Sequence, residues 1–99
     1  MDDSILKISI VMPCHNAARI IDRTLSELIS NMKITEEIIL VENGSTDKTL
    51  SLLELCLETY PKSNIRITRS DKGLGNAIRA GINLASGPYI VFMADDLPF

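Results

Sequence analysis

Apolar, β-branched runs alternate along the chain with stretches whose apolar residues recur at helical spacing. Leu6–Met12, Glu37–Val41, Ile65–Thr68 and Tyr89–Met93 each have strand length. Pro13, Asn43-Gly44 and Asp95-Asp96 punctuate three of them as turn formers do. Between them, Ile21, Leu25, Leu28, Ile29 and Met32 mark one face of a first helix, with Asn16 as its expected N-cap. A second helix is expected to begin near Ser45 or Thr46, with Leu50, Leu53 and Leu57 inward and Tyr60-Pro61 at its end. A third carries Leu74, Ala77, Ile78, Gly81, Ile82 and Ala85 inward and stops at Ser86-Gly87-Pro88. The order βαβαβαβ predicts an α/β fold, an open parallel sheet with helices on both faces. The strand runs are near-continuously apolar, as strands covered on both sides require.

Length and composition narrow the function classes. Ninety-nine residues make at most one domain. With 45% hydrophobic and 23% charged residues the chain is neither disordered nor fibrous. A net charge of −3 with scattered Lys and Arg lacks the basic stripe that nucleic acid demands, so no nucleic-acid partner is expected. No apolar run is long enough to cross a bilayer, and the acidic start MDDSILK does not read as a secretory leader. Cys14 and Cys56 stand far apart with no metal-ligand spacing, which fits a reduced, cytoplasmic location.

In open parallel sheets ligands bind beyond the carboxyl ends of the strands, where strand order reverses. The residues following each strand are therefore the candidate chemistry: Pro13-Cys14-His15-Asn16, Glu42-Asn43-Gly44-Ser45, Asp71-Lys72-Gly73-Leu74-Gly75 and Ala94-Asp95-Asp96. Asp95-Asp96 is the sharpest of these. Adjacent carboxylates are tolerated where water or a hard divalent ion compensates them, so the pair reads either as a solvated turn or as a Mg²⁺ or Mn²⁺ ligand. Glu42 is either a solvated turn carboxylate or an acceptor for a base or ribose. Ser45-Thr46-Asp47 reads as a helix cap rather than a substrate contact. Gly73-Leu74-Gly75 lacks the third glycine of a dinucleotide fingerprint, because position 78 is Ile. Lys72 is a phosphate contact or a plain surface charge. The local sequence offers His15 no carboxylate or serine that would make it a base, and Cys14 reads as a small loop residue.

Taken together, SIVMPCHNAARII, EEIILVENGSTDKT and DKGLGNAIRAGINLASGPYIVFMADDL resemble the amino-terminal, donor-binding half of an inverting GT-A glycosyltransferase of the family 2 type that includes dolichyl-phosphate mannose synthase. The resemblance spans nearly the whole chain. It implies strand order 3-2-1-4, with the crevice between strands one and four. It implies a UDP-sugar or GDP-sugar donor, with Pro13 and His15 on the loop facing the base and Leu40 and Glu42 on the strand end holding base or ribose. Ala94, Asp95 and Asp96 fall on the D-x-D motif, and Asp96 is its metal-facing acid. The resemblance also implies an acceptor hydroxyl or lipid-linked phosphate, with the parent protein at the cytoplasmic membrane face.

The departures are Glu42-Asn43 for the usual acidic pair, His15 for an aromatic, Ala17 for Glu and Ala94 for the first acid of D-x-D. The family's catalytic base lies later in the chain, so residues 1–99 read as a donor half cut after D-x-D and inactive alone. Tyr89–Met93 would then be a sheet edge through which copies associate. The rival readings are a nucleotidyltransferase, which needs a long Gly-rich basic loop after the first strand, and a non-catalytic nucleotide-binding module.

Overall fold

The computed structural model describes residues 8–33 and 35–94. Four strands, β1 (Ile8–Cys14), β2 (Glu36–Asn43), β3 (Ile65–Ser70) and β4 (Tyr89–Phe92), alternate with helices α1 (Ile21–Asn31), α2 (Thr49–Thr59) and α3 (Leu74–Leu84). All pairings are parallel, in the order β3-β2-β1-β4. The expected α/β class and strand order are both found. Leu6 and Lys7, expected in the first strand, lie outside the described residues.

The two strand faces carry separate cores. Ile10, Met12, Ile38 and Leu40 pack with Ile21, Leu25 and Leu28 of α1 and Leu53 and Cys56 of α2. Val11, Ile39 and Val41 project from the other face and meet Ala77 of α3. Consecutive residues thus enter opposite cores, which is why β1 and β2 read as unbroken apolar runs.

Pro13 does not stop β1; the strand runs on to Cys14, with Pro13 opposite Val41 and Cys14 opposite Glu42. Pairing with β4 ends at Val11, whose carbonyl accepts the Met93 N–H at 3.0 Å. Strand groups alternate sides with period two, so the missing N–H of Pro13 faces the side that β4 has already left. A proline is tolerated there in a strand that is otherwise central.

Two helix starts differ from expectation. α1 begins at Ile21 with no side-chain cap, and Asn16 sits upstream in the left-handed region at φ 48°. α2 begins at Thr49, past Ser45 and Thr46, and its first turn is held by Asp47, whose Oδ1 accepts the Thr49 N–H at 2.9 Å. Its inner face centres on Leu53 and Cys56 rather than Leu50. In α3, Leu74 and Ile82 are exposed, and Ala77 and Gly81 make the contact.

α3 lies unusually close to the sheet at Gly81. A Cβ there would stand 2.3 Å from Val11 Cγ1, whereas one at Gly75 would meet nothing within 4 Å. Gly81→Ala is therefore expected to destabilise by about 1–3 kcal/mol through overpacking. Gly75→Ala, in the same helix, should instead stabilise by up to about 1 kcal/mol. Urea denaturation of the two variants checks the opposite signs.

Gly87 has a packing role as well. Its Cβ would press on Ser9 Oγ at 2.9 Å and on the Ile8 backbone at 3.1 Å. The helix itself ends through an extended Ala85, so the glycine serves the close approach to β1 rather than a left-handed cap.

Candidate functional site

Every strand ends at the same edge of the sheet, and the loops that leave it are bonded to one another. Asn16 is the hub. Its Oδ1 accepts the Thr46 N–H at 2.8 Å and its own N–H donates to Ser45 Oγ at 3.0 Å. Ala17 N–H donates to Thr49 Oγ1 at 2.8 Å and Ala18 N–H to Asp47 Oδ2 at 3.2 Å. The β1–α1 loop therefore lies on the start of α2; Asn16 and Ser45, which read as local caps, act between loops, while Asp47 both holds the first turn of α2 and reaches Ala18. The hydrogen bond from the Thr49 hydroxyl, with those from the Thr49 and Ala18 N–H groups, holds the Asp47 carboxyl below the ordinary aspartate value.

His15 Nδ1 lies 2.8 Å from the Asn43 carbonyl oxygen. A carbonyl only accepts, so Nδ1 carries the proton in this contact. Asn43 is itself buried, and its Oδ1 accepts the Ser70 hydroxyl at 3.1 Å, which joins β2 to the end of β3. Gly44, at φ 67°, brings the β2–α2 loop against Lys72: a Cβ would stand 2.9 Å from the Lys72 backbone nitrogen. The three loops after β1, β2 and β3 form one connected rim.

Glu42 is not a solvated turn residue. It is 2% exposed, its Oε1 accepts the Ser45 N–H at 2.7 Å, and its Oε2 lies 3.8 Å from Arg69 Nε. Leu40, expected at the base or ribose, is fully buried among Met12, Ile38 and Leu53, so its side chain belongs to the core. Cys14 is likewise core: it is the last strand residue, fully buried, with Sγ 3.4 Å from the Met12 carbonyl. Burial, followed by the charge of Asp22, pushes the other thiol, Cys56, up, so neither cysteine has the setting of a nucleophile.

Between the ends of β1 and β4 opens a crevice of about 380 Å³ lined by Pro13, Leu74, Ile78, Phe92, Met93 and Ala94. Of Pro13, Cys14 and His15, expected with Asp95 and Asp96 to flank this crevice, Pro13 alone lines it, and Ala94 of the D-x-D stretch lines it too. Its apolar wall of Leu74, Ile78 and Phe92 was not foreseen. The available signal was Leu74 itself, an apolar residue directly after a glycine turn and 64% exposed. Asp95 and Asp96, on which the metal expectation rests, lie outside the described residues. Among the described residues no three His, Cys, Asp or Glu side chains come together, and no helix is long and apolar enough to cross a membrane.

A parallel sheet ordered 3-2-1-4 with a crevice at the β1–β4 switch point and a loop rim beside it defines a doubly wound α/β domain, with its hollow where ligands of such sheets sit. The chain belongs to glycosyl transferase family 2, whose pattern it matches over residues 9–99.

It is 30% identical over 93 residues to an uncharacterised glycosyltransferase of Nostoc sp., covering 93% of this chain and 29% of that protein. It is 28% identical over 99 residues to a dolichyl-phosphate beta-glucosyltransferase of Dictyostelium discoideum, covering 90% of this chain and 30% of that one. Among solved structures, S. aureus TarS 1–349 in complex with UDP-GlcNAc superposes with a TM-score of 0.76 at 25% identity, over 92% of this chain and 27% of TarS 1–349. The chain thus spans roughly three tenths of the length of these relatives.

Proposed function

We propose that this chain is the donor-binding half of a glycosyltransferase that moves a sugar from a nucleoside diphosphate donor to an acceptor. The observation that carries the reading is the crevice between β1 and β4, lined by both Pro13 and Ala94, in a chain that matches family 2 over residues 9–99. UDP is favoured over GDP by the likeness to a structure holding UDP-GlcNAc. A lipid-linked phosphate acceptor is favoured by the dolichyl-phosphate relative. His15, Asn43 and the backbone around Gly44 would border the nucleotide, and Lys72 would meet its phosphates.

Asp96, with Asp95 beside it, would hold Mg²⁺ or Mn²⁺ directly after the Ala94 wall. Hard cations of this kind take one or two carboxylates together with substrate phosphates. When bound, the ion supplies neutralisation of the leaving diphosphate. Titration calorimetry with UDP should show heat in the presence of Mg²⁺ and little in chelator. Asp96→Ala should weaken metal-supported binding by about tenfold, roughly 1.4 kcal/mol. Equal heats with and without metal, or an Asp96→Ala variant that binds as before, would remove the metal from the reading.

The partner reading extends to a second copy of the chain. β4 is an edge strand among the described residues, and Tyr89, Val91 and Phe92 on it are 69%, 43% and 45% exposed. An uncharged apolar edge leaves unpaired backbone groups that recruit another strand. Light scattering over a concentration series should show self-association that Tyr89→Lys reverses. A strict monomer at high concentration refutes it.

A further inference from the structure

A second hollow, of about 590 Å³, lies between the end of β3 and α3, bounded by Arg69 and Asp71 on one side and by Asn76, Arg79 and Asn83 on the other. Residues 76, 79 and 83 follow helical spacing, so α3 presents them as one stripe. β3 stands two strands from β1, which puts this hollow roughly 10 Å from the donor crevice across the sheet. Where the donor crevice is walled by apolar side chains, this hollow is walled by polar ones.

Its hydrogen-bonding capacity is unevenly committed. The Ser70 hydroxyl already donates to Asn43 and the Asn76 amide to the Lys72 carbonyl. Arg69 is 70% exposed and reaches Glu42 only through Nε at 3.8 Å, so its terminal nitrogens stay available. Arg79 and Asn83 have no hydrogen bond or ion pair among the described residues. Two guanidinium groups and the N–H₂ of a carboxamide therefore offer donors on one concave surface. Against them stands the Asp71 carboxylate. Guanidinium forks match the oxygen geometry of phosphate, and the volume suits a small molecule. A net charge of −3 opposes docking on an anionic bilayer.

We propose that this hollow holds the phosphoryl group of a small soluble phosphomonoester, at a site separate from the donor crevice. The ¹⁵N-labelled chain is titrated with inorganic phosphate, with chloride at matched ionic strength as control. Amide shifts are expected at residues 69–71, 76, 79, 80 and 83, which line this hollow and not the donor crevice, with phosphate alone. Arg79→Gln, a change at an exposed position, should weaken the phosphate response about fivefold, and Asp71→Asn should strengthen it about twofold, as exposed charge contacts do. UDP binding should be unaltered in Arg79→Gln, which keeps this site distinguishable from the donor crevice. Equal shifts in chloride, an undiminished response in Arg79→Gln, shifts confined to residues 13–16 and 42–46, or binding to phosphatidic acid vesicles without a response to phosphate would each overturn the proposal.

Discussion

Replacing Glu37 with glutamine is expected to destabilise the fold by about 3 kcal/mol, the low end for breaking a buried, hydrogen-bonded ion pair. Glu37 is 1% exposed in β2, at the end of the sheet opposite the donor crevice. Three donors converge on its two oxygens. Ser9 Oγ–H and the Ser86 N–H each reach Oε2 at 2.6 Å, and Arg66 reaches Oε1 at 2.8 Å. Ser9 Oγ in turn accepts the Gly87 N–H at 2.8 Å, so its proton is committed toward Glu37. Arg66 continues to the Leu84 carbonyl at 2.6 Å. A glutamine supplies one acceptor in place of two, so its amide N–H₂ faces either Arg66 or the Ser9 and Ser86 donors, and the charge paired with Arg66 is lost. Because Arg66 is partly exposed, it rehydrates when its partner is lost, which keeps the cost at the low end. Against a typical total of roughly 5–15 kcal/mol this is a large fraction.

The same network sets an acid limit. Burial pushes the Glu37 carboxyl up, but the hydrogen bonds from Ser9, Ser86 and Arg66 and the Arg66 charge outweigh it, so the group titrates below the ordinary glutamate value. Its contribution is complete above the unfolded-state value of about 4.3 and is lost as pH falls through the lower folded one. Urea midpoints should therefore decline with acidification more steeply in the native chain than in Glu37→Gln. A variant with parallel pH dependence, or with unchanged stability at neutral pH, would show that the network holds nothing.

Glu37 also shows where the sequence stops being legible. The apolar runs gave all seven elements and their types because alternating cores on two faces leave a visible mark on β1 and β2. The strand ends gave no such mark. β2 runs beyond the expected Glu37–Val41 to take in Glu36, Glu42 and Asn43, and the buried polar residues Glu37 and Asn43 are tolerated because partners arrive from distant segments. Glu37 needs Ser9 and Ser86, and Asn43 needs Ser70. Asn16 reads as the start of a helix because its side chain is a good local cap, yet its oxygen is taken by Thr46, thirty residues on. At Asn16 and Asn43 a long-range hydrogen bond takes the side chain that local sequence would assign to a cap or a turn.

The site divides in the same way. Topology alone selects the crevice between β1 and β4, and Pro13 and Ala94 stand there. Which side chains face it depends on strand parity and loop contacts, so Leu40 and Cys14, two residues at the right end of the sheet, turn out to face the core. The parity rule was available from the sequence: Leu40 shares a face with Ile38, and Cys14 with Met12 and Ile10.

Gly44→Ala should lower stability by about 2–3 kcal/mol and loosen the loop rim beside the donor crevice. Two effects combine at this position. The backbone sits at φ 67°, where a side chain costs roughly 1–2 kcal/mol. The new Cβ would also meet the Lys72 backbone nitrogen and Cβ, each at 2.9 Å. Backbone cannot swing aside as a side-chain tip can, so the β2–α2 and β3–α3 loops must part. Asparagine separates the two contributions, since it tolerates left-handed backbone yet carries the same Cβ. If Gly44→Asn is as unstable as Gly44→Ala, the loop contact dominates; if it is milder, the dihedral does. In either variant amide resonances of Ser45 and Lys72 should move together, and the nucleotide affinity proposed for the rim should fall with them. A Gly44→Ala chain with native melting temperature and unshifted Lys72 would mean that the two loops do not touch.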